Sequence, residues 1–234
     1  YESDLDALMT RTCLRPIPTG QVTKNQALFF GISLSIGSIS LLYYSSNLMS
    51  ASLLLLTICF YFFIYTVWLK RRTPQNIVIG GAAGALPPVI GWTIATGSLS
   101  LEPLILFLII FLWTPSHFWA LSIYKSKDYK KAKIPMLPII YGIEKTKKNI
   151  FIYSLLMLPT ISAPYFISFL SKIYFYPALA LTIYYIYLCG TLLKVKKNKE
   201  INTLARRIFL YSIFYLFIIF LLILTDHFFM RLYG

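Results

Sequence analysis

The sequence predicts an all-α fold, a polytopic transmembrane helical bundle, and three observations carry that prediction. Of its 234 residues, 58% are hydrophobic and only 13% charged, with a mean hydropathy of +0.70. Soluble domains carry about 25% charged residues, so this chain has too little polar surface for water. It also contains seven apolar runs, each close to the roughly 20 residues a helix needs to cross a bilayer. Finally, its basic residues sit almost wholly in alternate connections between those runs, the asymmetry that orients membrane helices.

In chain order the expected spans are Gln26–Ser45, Met49–Leu69, Ile77–Gly97, Pro103–Tyr124, Asn149–Phe169, Ile173–Leu193 and Arg207–Thr225. The segment before the first holds Arg11, Arg15 and Lys24, and a short turn near Ser46–Leu48 leads into the second. Residues 70–76 then hold Lys70, Arg71 and Arg72, and a short link at Ser98–Glu102 precedes the fourth span. Residues 125–148 carry eight lysines: 125, 127, 130, 131, 133, 145, 147 and 148. After the short link Leu170–Lys172, residues 194–206 hold Lys194, Lys196, Lys197, Lys199 and Arg206, with Arg207 at the helix edge. Of 22 basic residues only Lys172 and Arg231 fall on the other side. The rule places the basic side in the cytoplasm, as expected for a multi-pass protein of the cytoplasmic (inner) membrane.

A net charge of +14 therefore needs no nucleic acid as partner; lysines beside membrane helices serve topology and membrane lipids with anionic headgroups. Cys13, Cys59 and Cys189 have neither metal-like nor disulfide-like spacing, which excludes a cysteine-based framework. No repeat or Gly/Ser-rich linker divides residues 1–234, which read as a single transmembrane domain. The opening YESDLDALMTRT lacks an initiator Met and the basic and apolar regions of a secretory signal. It is expected to begin partway through a longer protein.

Glu2, Asp4, Asp6 and Asp128 are four of the eight acidic residues, and all four fall on the basic side. Glu2 and Asp6 are four apart and face one way on a helix. Two such carboxylates suit Mg²⁺, a hard cation that takes oxygen ligands and keeps water or substrate phosphates in its shell. They equally suit a solvated helix end paired with Arg11 or Arg15. Lys70 and Arg71 follow a span directly, with Thr73 and Asn76 beside them, a grouping suited to phosphate oxygens and also to a simple membrane anchor. The next run, GGAAGALPPVIGW, is Gly-rich and interrupted by Pro87 and Pro88, so a broken helix lining a cavity is expected. The fourth span ends with Trp113, Pro115, His117 and Phe118, followed by Asp128 and Tyr129. An ionisable side chain in a span is costly and marks a candidate site, and His is a common haem ligand. A buried neutral His bonded to a carbonyl is the equal alternative. Together these features suit a substrate with an anionic head and a greasy tail, such as an isoprenyl diphosphate.

The stretches YESDLDALMTRTCLRP, YTVWLKRRTPQNIVIGGAAGALPPVIGW and LWTPSHFWALSIYKSKDYKKAKIPMLP resemble, in order and spacing, the signatures of the protoheme IX farnesyltransferases, the heme O synthase branch of the UbiA intramembrane prenyltransferase superfamily. The resemblance covers essentially the whole chain. It implies nine spanning helices, two of them before Tyr1 together with the Asn that opens the first signature, and little activity for a polypeptide that starts at Tyr1. It implies Mg²⁺-dependent transfer of a farnesyl group from farnesyl diphosphate to a vinyl group of heme B, giving heme O, at the cytoplasmic face. On this basis Glu2, Asp6 and Asp128 would be catalytic metal–diphosphate ligands and Lys70 a catalytic diphosphate contact. Arg71, Thr73, Asn76, Trp113, His117, Phe118 and Tyr129 would bind substrate, with His117 on the heme side. Contact with heme A synthase or with terminal oxidase assembly would follow from the product. Three departures stand out: Glu2 in place of Asp, Ser116 in place of a second Pro, and Asp128 without an acidic partner four residues on. The residues alone also suit a UbiA enzyme acting on a quinone precursor, or a transporter of an anionic lipid-like metabolite.

Overall fold

The structure is a computed structural model that describes residues 2–10, 12–132 and 134–233, and the side chains of all these except Arg231 and Tyr233. Arg11 and Lys133, counted on the basic side, and the Arg231 side chain opposite lie outside the described residues. Among the described residues seven helices are long and apolar enough to cross a membrane, which makes the chain an integral membrane protein.

A short helix α1 (Ser3–Leu8) precedes the first span, α2 (Lys24–Ser45), which opens on a capping box between Thr23 and Gln26. The second span starts as α3 (Leu48–Cys59) and continues from Phe60 to Leu69 with π-helical winding. The third is broken as Pro87 and Pro88 require: α4 (Asn76–Ala85) stops at Leu86 and α5 (Pro87–Thr96) restarts with proline in its first turn. Gly97, at φ +71°, supplies the left-handed residue that ends α5. The fourth span, α6 (Leu101–Tyr124), stays helical across Pro115. Two short helices, α7 (Ser126–Lys131) and α8 (Leu137–Ile140), lead to α9 (Gly142–Phe166), α10 (Lys172–Lys194) and α11 (Asn198–Tyr233).

Helices α6, α9, α10 and α11 pack in a ring of neighbours, with α4 and α5 on the other flank of α6. The α3 span packs on both, and among the described residues α2 lies outermost against α3 with its apolar side chains exposed. The core is laced by buried hydroxyls. Ser116 donates to the Trp113 carbonyl and so accepts from Tyr185, 2.8 Å away, while Thr182 meets Tyr215 at 2.9 Å. The residue that stands where a second Pro was expected thus ties α6 to α10.

Two expected boundaries are corrected. The seventh span, read as Arg207–Thr225, is a helix of 36 residues, about 54 Å long. Counting apolar runs misses its first turns because they are amphipathic: Ile201, Ala205 and Ile208 are buried at spacings of four and three among charged neighbours. The fifth span begins at Gly142 rather than Asn149 for the same reason, with Thr146, Ile150 and Ser154 buried on one stripe. Fully buried Lys147 lies on that stripe and donates to Glu144 and to the Val195 carbonyl, both at 2.7 Å, closing the end of α10.

The opposite end of α10 is closed by a buried acid. Asp226 on α11 accepts from the Ser171 N–H at 2.8 Å, the Tyr174 N–H at 3.1 Å and the Ser171 hydroxyl. These are the first, unpaired donors of a helix whose dipole favours negative charge there. Asp226→Ala leaves two buried N–H groups unpaired and is expected to lower stability by about 1–3 kcal/mol, measured by unfolding in detergent. Asp226→Asn, which keeps the acceptor but not the charge, should lose less.

Candidate active site

Helix α1 has six residues, too few to persist alone. It is held by alternate carboxylates that take three different cations. Glu2 pairs with Lys70, Asp4 accepts from Arg71 through two bonds of 2.9 and 3.0 Å, and Asp6 pairs with Arg15 at 3.0 Å. The Arg71 guanidinium holds the Asp4 carboxyl below the usual carboxylate range. Asp4 and Arg71 lie outside the cavity described next, whereas Glu2, Asp6, Arg15 and Lys70 line it.

That cavity has a volume of about 440 Å³. Its polar mouth carries those four charged groups together with Asn76 and Tyr129; its walls are Tyr61 and Tyr65 of the π-helical segment, Ile77, Gly80, Gly81 and Gly84 of α4, and Ile110, Trp113, Thr114 and Phe118 of α6. The glycines are needed for close approach. A Cβ on Gly80 would lie 2.0 Å from the Tyr65 ring, and one on Gly81 would lie 2.9 Å from Thr114. An open apolar groove of about 570 Å³ shares Trp113 and Ile110 with the cavity and lies between Pro87, Pro88 and the α11 residues Ile213, Leu216, Phe217 and Phe220.

Of the residues read from the sequence, Glu2, Asp6, Lys70, Asn76, Trp113, Phe118 and Tyr129 thus meet around one space. Asn76 is buried and donates to the Lys70 carbonyl at 3.3 Å, fixing the turn that carries Lys70. The Thr73 hydroxyl accepts from the Gln75 N–H and stays in its own loop. Asp128 is outside the lining; it accepts from the Thr10 hydroxyl at 3.1 Å and so joins α7 to the segment after α1. His117 is also outside, stacked behind Trp113 at 4.2 Å and against Phe209 at 4.7 Å. Its Nδ1 lies 2.7 Å from the Ser212 hydroxyl, which donates to the Phe209 carbonyl. That hydroxyl has one hydrogen, so it accepts from Nδ1–H, and the lone pair of His117 sits on Nε2. The Ser212 carbonyl accepts from Trp113 Nε1 at 2.9 Å, so one residue of α11 holds both rings.

Tyr61, Tyr65, Arg15 and Met9 line the cavity without having been singled out as site residues. Arg15 was considered only as an ion-pair partner. Tyr65 stands five residues before Lys70 in YTVWLK, and only non-α winding brings that spacing onto one face.

A site for Mg²⁺ needs a carboxylate oxygen that is not already bonded. Glu2 Oε1 is buried beside the cavity with no hydrogen-bond partner among the described residues. A buried carboxylate oxygen left in that state is an acceptor awaiting a cation. Among the described residues no three acidic, His or Cys side chains form a metal cluster. Glu2 and Asp6 are the carboxylates that line the cavity, a donor pair that would leave the other positions of a Mg²⁺ to water and an anionic substrate.

A family model for the UbiA prenyltransferase family matches residues 1–228. A Pelagibacter ubique protein named protoheme IX farnesyltransferase is 68% identical over 97% of this chain and 75% of its own length. Proteins of the same name from Parvibaculum lavamentivorans and Agrobacterium fabrum are 48% and 47% identical over 97% of this chain, and over 71% and 72% of their own lengths. In three dimensions the chain is similar to a solved structure from work on digeranylgeranylglyceryl phosphate synthase in membranes, with a TM-score of 0.76 at 20% identity over 96% of this chain and 77% of that one. That likeness concerns the fold.

Ser212→Ala removes the acceptor of a buried imidazole N–H and is expected to cost about 1–3 kcal/mol in detergent unfolding. Thr96→Ala, at an exposed hydroxyl, serves as the control and should change stability by less than about 0.5 kcal/mol.

Proposed function

The chain belongs to the UbiA prenyltransferase family, and we propose that it transfers a farnesyl group from farnesyl diphosphate to a vinyl group of heme B, forming heme O. The observation that carries this reading is the meeting of Glu2, Asp6 and Lys70 at the mouth of a cavity with apolar and aromatic walls. The names of its close relatives supply the acceptor.

The reaction breaks the bond between C1 of the farnesyl chain and the diphosphate oxygen, and the electron pair leaves with the diphosphate. Lys70 and Arg15 face the position where that negative charge grows, and preorganised cations in a site with low dielectric are effective there. Glu2 and Asp6 would hold Mg²⁺, which would add positive charge at the same oxygens. Opening the site exchanges partners: the cations now bound to Glu2 and Asp6 turn to diphosphate. The vinyl terminus bonds to C1, and water then adds its oxygen to the neighbouring carbon and releases a proton, giving the hydroxyethylfarnesyl group. The apolar groove at Trp113 accommodates the chain away from water. His117, with Nε2 as its basic nitrogen, lies one ring behind the cavity wall and supports Trp113. We place the basic side, and with it the site, in the cytoplasm.

Membranes containing the chain expressed in its full reading frame, supplied with farnesyl diphosphate, Mg²⁺ and heme B, should yield heme O by mass spectrometry. That protein, inserted and folded but giving none, removes the assignment. Asp6→Ala and Lys70→Ala should each lower turnover by about 100-fold or more. Arg71→Ala, at a guanidinium held by Asp4 outside the lining, should cost less than about tenfold; equal losses at 70 and 71 would overturn the division of roles drawn between them.

A further inference from the structure

Winding decides where Tyr65 and Lys70 point. A π-helix closes i→i+5 hydrogen bonds and takes roughly 4.4 residues per turn. Nine residues from Tyr61 to Lys70 therefore make about two turns, which returns Lys70 to the face of Tyr61 and Tyr65. In an α-helix the same nine residues make about two and a half turns, and Lys70 would point away. The winding is regular at this point: the Thr66 hydroxyl and the Lys70 N–H each reach back five residues, to the Tyr61 and Tyr65 carbonyls at 3.0 and 2.9 Å.

The Tyr65 ring is seated against α4, in the space that a Cβ at position 80 would fill. The Lys70 ammonium stands over the ring, 5.8 Å from its centroid, and the Tyr61 ring lies 5.4 Å away at 44°. The phenolic hydroxyl makes no hydrogen bond to the described residues, so the ring face, not the hydroxyl, is what the surroundings orient. Lys70 is the diphosphate contact proposed above, and the atom next to that diphosphate is C1 of the prenyl chain.

We propose that Tyr65 is a catalytic residue whose π face stabilises the allylic cation formed as the C1–O bond breaks. This rests on the prenyl transfer proposed above. The electron pair of the broken bond leaves with the diphosphate, no bond forms to the ring, and the cation is consumed when the vinyl carbon bonds to C1. The negative face of an aromatic ring attracts a desolvated cation, and the attraction exists only once charge has developed, so it raises kcat more than it changes KM.

The test replaces Tyr65 by Phe, by Leu, and by phenylalanines carrying one, two and three ring fluorines, each fluorine weakening the face potential at nearly constant shape. Heme O formation and diphosphate release are measured together. Tyr65→Phe should stay within about threefold of the parent, and Tyr65→Leu should lose about ten- to thirtyfold in kcat with the KM for farnesyl diphosphate little changed. The fluorinated series should fall stepwise, with log kcat linear in fluorine number. A flat fluorine series in an active parent overturns the proposal and leaves the prenyl-transfer reading intact, as does a Tyr65→Phe loss equal to that of Tyr65→Leu. A parent without prenyl transfer removes both.

Discussion

Charge can be kept beside an apolar chamber only when it is matched, and the matched pairs on α1 are what the rest of the site depends on. Unpaired carboxylates there would draw in water or take up protons. Asp4 and Arg71 form the outer, two-bonded clamp, in the geometry that suits guanidinium and carboxylate best. That clamp anchors a helix too short to stand alone and leaves Glu2 and Asp6 turned inward. There each inward carboxylate is held by an inward cation, Glu2 by Lys70 and Asp6 by Arg15.

The walls are stiffened by a second arrangement, deeper in the bundle. Ser212 holds Trp113 through its carbonyl and His117 through its hydroxyl, which clasps α6 to α11 on either side of Pro115. Proline removes a backbone bond at that point, and an interhelical clasp compensates for the loss. Ser116 adds a bond to Tyr185 on α10. The aromatic wall of the cavity is therefore carried by three helices rather than by one kinked span.

Much of this was legible in the residues. Apolar runs, alternate basic connections and the Pro87–Pro88 break gave seven spans within a few residues, because hydrophobic length and proline chemistry are local properties. The boundaries failed where a helix leaves the lipid, at Ile201 and Thr146, since the pattern there changes from uniformly apolar to one-sided. The site was legible as residue types and in part as geometry. Asp128 is diverted by Thr10, and His117 is held a layer back by Ser212; both depend on contacts across about a hundred residues of chain. Tyr65 escaped notice because an α-helical period assigns it and Lys70 to different faces.

The seat beneath Tyr65 also has a consequence for heredity. Position 80 lacks space for a single methyl group while position 65 bears a ring, and position 65 rests on a surface that only a bare backbone provides. Position 80 cannot grow alone. A lineage that enlarged it would have to shrink position 65 beforehand or in the same step, so any side chain there waits on a change fifteen residues away on another helix.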